Sequence, residues 1–147
     1  VIAPYQDING FMFRLVNPQK NELLDVEINV SVSMKRKNSE FRDFHILDLE
    51  RDNVRFFPSM WTVVHPIDKN SPLYGLNKND YFEKDFEFIA MLKAFDESSG
   101  QMVYSRSSYK PEEIEWGQKF VYTAKRHNGK LLVDVGKINE SEKAELN

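Results

Sequence analysis

Along residues 24–35 apolar and polar side chains alternate without a break. Leu24, Val26, Ile28, Val30, Val32 and Met34 stand against Asp25, Glu27, Asn29, Ser31, Ser33 and Lys35. Successive side chains of a strand point to opposite faces, so the pattern predicts one long strand buried on one face only. A parallel strand, covered on both faces, would show a continuous apolar run, so the sheet is expected to be antiparallel. Shorter segments of the same kind are expected at 11–16, 43–49, 54–57, 60–65, 86–95, 101–109, 119–124 and 131–135. Turn chemistry separates them: Asn9-Gly10, Asn17-Pro18, Ser98-Ser99-Gly100 and Asn128-Gly129, the last a hairpin signal. Helix is sparse, limited to a turn opened by Ser71-Pro72 and an acidic turn over 110–115, where a Pro at the first position and early carboxylates favour a helix start. Eight or nine short strands spaced by turns predict an all-β fold, a β-sandwich with one or two short helical turns.

Composition narrows this. With 41% hydrophobic residues, eleven of them Phe, the 147-residue chain can bury a real core, and one domain is expected over 1–138. Trp61, Phe88 and Leu92 are candidates for that core. Residues 139–147 form a polar tail, expected as frayed helix or disorder. The absence of cysteine removes disulfides, Cys-ligated zinc, iron–sulfur clusters and thiol nucleophiles, and favours a reducing compartment. Twenty Lys and Arg against 23 Asp and Glu give a net charge of −3, so no nucleic-acid partner is expected. The longest charge-free apolar stretch, 56–67, is too short to span a bilayer, which takes about 20 residues. The chain opens on Val1 with no charged-then-apolar leader, and is expected to be a fragment of a longer protein.

Catalytic chemistry finds little support. His45, His65 and His127 lack the spacing of a local ligand pair, so no metal site is expected. His65 closes an apolar segment and is expected as a hydrogen-bonded core or corner histidine. Neither a G-x-S-x-G elbow nor a glycine-rich phosphate loop occurs, and neither an enzyme nor a cofactor is expected. The run Lys35-Arg36-Lys37 could meet phosphates or anionic lipid head groups; a solvated hairpin end is the plainer reading. Asp25 and Glu27 share the polar face of the long strand, which suits either solvent or a surface that attracts cations.

The segment Trp61-Thr62-Val63-Val64-His65-Pro66-Ile67-Asp68, continued by Ser71-Pro72-Leu73-Tyr74-Gly75, resembles the cytoplasmic domain of inward-rectifier potassium channels, in the form of the prokaryotic branch. Met12-Phe13-Arg14-Leu15-Val16-Asn17, Arg106-Ser107-Ser108-Tyr109 with Glu113-Ile114-Glu115-Trp116-Gly117, and Asp134-Val135-Gly136-Lys137 resemble further family segments, in the family's order. The resemblance implies an immunoglobulin-like sandwich, homotetrameric beneath a transmembrane pore that lies upstream, at the cytoplasmic face of the inner membrane. It implies K+ in the path, with Mg2+ or polyamine as blockers. Asp25 falls at the family's acidic, pore-facing position and Glu27 shares its face. The second pore-facing acidic position falls on Lys93, counting back from Arg106, a departure that implies weak polyamine block. Arg106 falls at a basic position tied to gating and the subunit interface, whereas the neighbouring basic position tied to anionic lipid falls on Gln19, with Lys20 beside it, so half of the lipid-linked pattern is kept. A stand-alone immunoglobulin-like binding module and a metabolite-sensing subdomain are the alternatives.

Overall fold

The computed structural model describes residues 1–17, 22–58, 60–121, 124–127, 130–133 and 140–147. Two antiparallel sheets face each other. In the first, β1 (Ile2–Tyr5) pairs with β2 (Ile8–Val16), which pairs with β6 (Met60–Ile67). In the second, β4 (Arg42–Ile46), β3 (Leu23–Lys35), β7 (Glu87–Asp96) and β8 (Gln101–Tyr109) run in that spatial order, and β5 (Asn53–Phe56) also pairs with β3. The expected all-β sandwich is what forms.

The alternation explains the packing. Val26, Ile28, Val30 and Val32 of β3 and Phe88, Ala90 and Ala94 of β7 are buried, as are Phe11 and Phe13 of β2 and Trp61 and Val63 of β6. These two inner faces meet where Phe11 stacks on Phe88, ring centroids 4.3 Å apart. Trp61 and Phe88 therefore lie in the core as expected, and Leu92 packs at its margin. Removing area of this kind from water supplies about 25 cal/mol per Å2, which makes the shared face the main source of stability.

One irregularity breaks the phase of the long strand. Leu24 pairs with Phe95 but Glu27 with Lys93, so β3 carries one residue more than β7 over that stretch. The extra residue is a β-bulge, and Asp25 within it takes a left-handed backbone, φ +47°, a conformation that Asp tolerates better than most side chains. The consequence is that Leu23 packs against the core, while Leu24 lies opposite the exposed Phe56. The alternation of buried and exposed positions expected from Leu24 thus runs only from Val26 to Val32, and Ser33, expected on the polar face, is buried as Arg42 Nε donates to its hydroxyl.

Of the two short helical elements, one lies beyond its expected start and the other falls within its expected segment. The turn at Ser71-Pro72 is followed by a true helix, α1 (Lys78–Glu83), started by a reciprocal cap: Asn77 Oδ1 accepts from Asp80 N at 3.0 Å and Asp80 Oδ2 accepts from Asn77 N at 2.8 Å. Its single buried side chain, Tyr81, stacks on Phe86 at 4.5 Å. The acidic turn is a 3-10 turn, Pro111–Glu113.

The segment read as a frayed tail is ordered instead. Strand β12 (Ser141–Lys143) pairs with β9 (Gln118–Phe120), Leu146 packs on the core, and Asn147 exchanges bonds of 2.9 Å with Asn9 in both directions. Gly117 permits this return, for it has φ +66° and a Cβ there would lie 3.3 Å from the Ala144 carbonyl, so both backbone and space call for glycine. Strands β10 (Ala124–His127) and β11 (Lys130–Val133) form the expected hairpin. Its Asn128-Gly129 turn, and the Asp134–Lys137 segment, lie outside the described residues.

Candidate functional face

The outward side of the five-stranded sheet collects the residues of interest through register alone. In one cross-strand row Glu27 of β3 lies opposite Lys93 of β7, and Lys93 opposite Tyr104 of β8. In the next row Asn29 lies opposite Met91, and Met91 opposite Arg106. A third row joins Ile46, Ser31, Ile89 and Ser108. Because side chains alternate across a strand, all of these share the face turned away from the core.

Asp25, Glu27, Lys93 and Arg106 are all exposed. The structure brings Glu27 and Lys93 together as direct cross-strand neighbours, a spacing of about 5 Å between Cβ atoms at which opposite charges attract. Arg106 stands diagonally from Lys93 on edge strand β8. Asp25 stands apart on the bulge, where it and Glu27 border a shallow depression with Asn53, Val54 and Arg55. Lys20 and Gln19 lie outside the described residues. Arg55 is the neighbour that sequence reasoning did not find: it reaches the acidic pair only because β5 folds back beside β3, and no local pattern marks that return.

The electrostatic outcome is near balance. Two carboxylates, Asp25 and Glu27, share their surroundings with the Arg55 guanidinium and the Lys93 ammonium, all in water, where an ion pair is worth about 0–1 kcal/mol and is screened over about 8 Å. Among the described residues no group of three or more His, Cys, Asp or Glu converges on this face. It offers instead a hydrated, mixed-sign surface beside exposed apolar side chains: Phe44 and Ile46 on edge strand β4, 67% and 79% exposed, and Tyr104 on β8, 70% exposed.

His65 meets the expectation for a corner histidine. It is 3% exposed; Nδ1 bonds the Asp48 carbonyl at 2.5 Å and Nε2 the Ser71 hydroxyl at 2.7 Å. Burial pushes its pKa down, opposed by the bond to Asp48 and by the carboxylates of Asp68 and Asp48.

No helix among the described residues is long and apolar enough to cross a membrane. Comparison with known proteins supplies the context for the face. The family described as inward rectifier potassium channel C-terminal domain matches residues 1–147. The inward rectifier potassium channel Kirbac3.1 of Paramagnetospirillum magnetotacticum is 31% identical over 145 residues, covering 95% of this chain and 49% of that protein. ATP-sensitive inward rectifier potassium channel 8 of Homo sapiens is 31% identical over 140 residues, 90% of this chain and 33% of that protein. ATP-sensitive inward rectifier potassium channel 11 of Oryctolagus cuniculus is 32% identical, over 97% of this chain and 39% of that protein. The chain spans a third to a half of the length of these relatives. With its whole length matched by a family of ion-channel domains rather than of enzymes, and with the motifs around Trp61 and Arg106 in place, the chain belongs to the inward rectifier potassium channel C-terminal domain family.

Proposed function

We propose that this chain is the cytoplasmic, pore-extending and gating domain of an inward-rectifier potassium channel. In this reading it assembles as a homotetramer below a transmembrane pore contributed by another part of the same protein, at the inner membrane. The observation that carries the reading is the outward sheet face: a long strand whose core side is sealed presents Asp25, Glu27, Asn29 and Ser31 to water. Side chains of this kind line a path for hydrated ions without binding them tightly.

The edges of the same sheet support assembly. A nine-residue edge strand, β8, and an edge strand bearing Phe44 and Ile46 are features that isolated domains usually blunt, and neighbouring subunits would cover them. Arg106, on β8, then stands at a subunit boundary, where a planar, always-charged group with several donors can bond a neighbour's carbonyl or carboxylate. Lys20, next to the family's lipid position at Gln19, is proposed as an anionic-lipid contact.

The charge balance bears on blockers. Ringed around an axis, Asp25 and Glu27 raise local cation concentration, but Lys93 and Arg55 offset them at close range. Mg2+ and polyamines, which need dense negative potential, are expected to block weakly.

Thiol chemistry tests the reading, since this chain has no cysteine of its own. In the full-length channel on a background free of other reactive thiols, Asp25→Cys is exposed from the cytoplasmic side to a cationic methanethiosulfonate. Modification is expected to lower single-channel K+ conductance about twofold, as a fixed positive charge in the path repels the permeant ion. Complete labelling with unchanged conductance would remove this face from the ion path.

A further inference from the structure

We propose that the cavity between the end of β6, the Leu73–Leu76 turn and Trp116 binds a neutral, mainly apolar small molecule through an acceptor oxygen, held by the Tyr81 hydroxyl and the Trp116 indole N–H. The cavity measures about 420 Å3, within the range of about 300–1,000 Å3 usual for small-molecule sites. Its apolar lining comes from Ile2, Ile67, Leu73 and Leu76, of which Ile2 and Leu73 are buried. The described residues that line it all lie outside the five-stranded sheet, so the site stands apart from the proposed ion path and does not rest on it.

Two polar groups among the lining residues point to a ligand. The Tyr81 hydroxyl and Trp116 Nε1 are both shut off from solvent and have no hydrogen-bond partner among the described residues, whereas buried polar groups are normally satisfied. Neither finds a partner by turning. The Tyr81 oxygen lies on the axis about which its ring rotates, and that ring is stacked on Phe86 at 4.5 Å and meets Trp116 edge-on at 4.8 Å. Trp116 is fixed by backbone bonds on either side of it: Ile2 N donates to the Glu115 carbonyl at 2.8 Å, and Gly117 N to the Ile2 carbonyl at 3.0 Å. The two groups are thus carried on adjoining rings at the cavity, within the span of one small molecule.

Donor and acceptor chemistry sets the class of ligand. An indole N–H only donates, and a phenol kept protonated by burial donates as well, so what both lack is an acceptor. Asp7 is the one charged residue among the described lining residues. With no cation beside it, an anionic ligand would be taken out of water next to a carboxylate. A neutral carbonyl or ether oxygen meets both donors without that cost, and hydrogen bonds made away from water are stronger than the same bonds at the surface. Because neither donor meets solvent in this arrangement, entry requires the rim to give way. The Leu73–Leu76 turn is suited to that, for Tyr74 N donates to the Ser71 carbonyl at 3.1 Å and Leu76 N to the Leu73 carbonyl at 3.2 Å. Both bonds are local to the turn, which can therefore shift as a unit without breaking them.

Two-dimensional NMR of the 147-residue chain tests this with two probes: cyclohexanone, which carries an acceptor oxygen, and cyclohexene, a ring of similar size without one. The chain has two tryptophans, and Trp116→Phe identifies which indole N–H signal belongs to Trp116. Cyclohexanone should move that signal downfield and saturably while the Trp61 signal stays in place. Cyclohexene should bind about tenfold more weakly and produce no downfield shift. In Tyr81→Phe the affinity for cyclohexanone should fall about fivefold, while the melting temperature without probe stays at or above that of the parent, because the change removes a buried hydroxyl that has no partner. Four results would each overturn the site: a Trp116 signal indifferent to cyclohexanone, an equal response to both rings, unchanged affinity in Tyr81→Phe, or a Tyr81→Phe chain less stable than the parent, which would mean that bound water or another group already satisfies the hydroxyl.

Discussion

The inner and outer faces of the five-stranded sheet are built on the same strands and differ in almost everything else. On the inner face Val26, Val32, Phe88 and Ala94 have no exposed surface, and all four belong to one core cluster with Phe11, Phe13, Trp61 and Val63 of the opposing sheet. On the outer face, one residue away along each strand, Glu27, Lys93 and Arg106 are exposed. Close packing makes the inner positions intolerant of lost volume, because the cavity left behind collapses only in part. The outer positions carry little folding energy, so they are the places where charge can be set for function without disturbing the fold. The fold and the proposed ion path can therefore be altered separately.

The sharpest way to break that separation is through the pair Phe88 and Lys93. Phe88→Ala, at the centre of the inner face, should lower stability by about 3–5 kcal/mol in urea or thermal unfolding. Lys93→Ala on the same strand should stay within about 0.5 kcal/mol. Equal losses from both would mean that the faces are misassigned.

The C-terminal return extends the comparison to a region that looks like surface by composition and behaves like core in part. Deleting residues 140–147 removes β12, the Leu146 packing and the Asn147 bonds to Asn9. A loss of roughly 2–4 kcal/mol is expected in the same assay. A neutral deletion would return the segment to the class of dispensable tails.

On the outer face the informative change is one of sign. In the full-length channel Lys93→Glu should strengthen voltage-dependent block by internal spermine or Mg2+ by about tenfold, equivalent to about 1.4 kcal/mol. Asp25→Asn should weaken whatever block remains. Current–voltage relations with and without blocker read both, and unchanged relations in both variants would take these side chains out of the path.

His65 gives the smallest effect and joins the two sides, since a titratable group sits among apolar ones. Its folded-state pKa is lowered chiefly by burial. The unfolded chain therefore binds the proton more readily, and His65 makes stability fall as pH drops below the unfolded value of about 6.5, by at most about 1.4 kcal/mol per pH unit. Its contribution is fully retained above that pH. Comparing unfolding of the parent with His65→Gln from pH 7.5 to 5 isolates it; identical slopes would contradict the assigned protonation state.

Much of this was legible in the amino-acid sequence. The period-two pattern of 26–32 dictates a half-buried strand wherever that strand is placed, because a pleated backbone sends alternate side chains to opposite sides. For the same reason Trp61 and Phe88 could be assigned inward, and the Trp61–Asp68 and Arg106–Tyr109 motifs sufficed to point to the family. The hairpin around Asn128-Gly129 followed from turn chemistry.

What required the tertiary structure depends on partners far away in the chain. The bulge at Asp25 exists because β3 and β7 differ by one residue between two pairings, a mismatch invisible in either strand alone. The neighbours of the acidic pair, Lys93 and Arg55, are selected by register between strands separated by long connections. The helix after Asn77 rests on a short polar cap and one buried Tyr81, too little periodicity to announce itself. The C-terminal segment reads as polar because most of its side chains face water; its order comes from backbone pairing with β9 and from Leu146, and a backbone hydrogen bond leaves no mark on side-chain pattern. Sequence thus determined which face of each strand seeks the core, by the local geometry of the chain, whereas the identity of each residue's neighbours was decided only when the sheets closed.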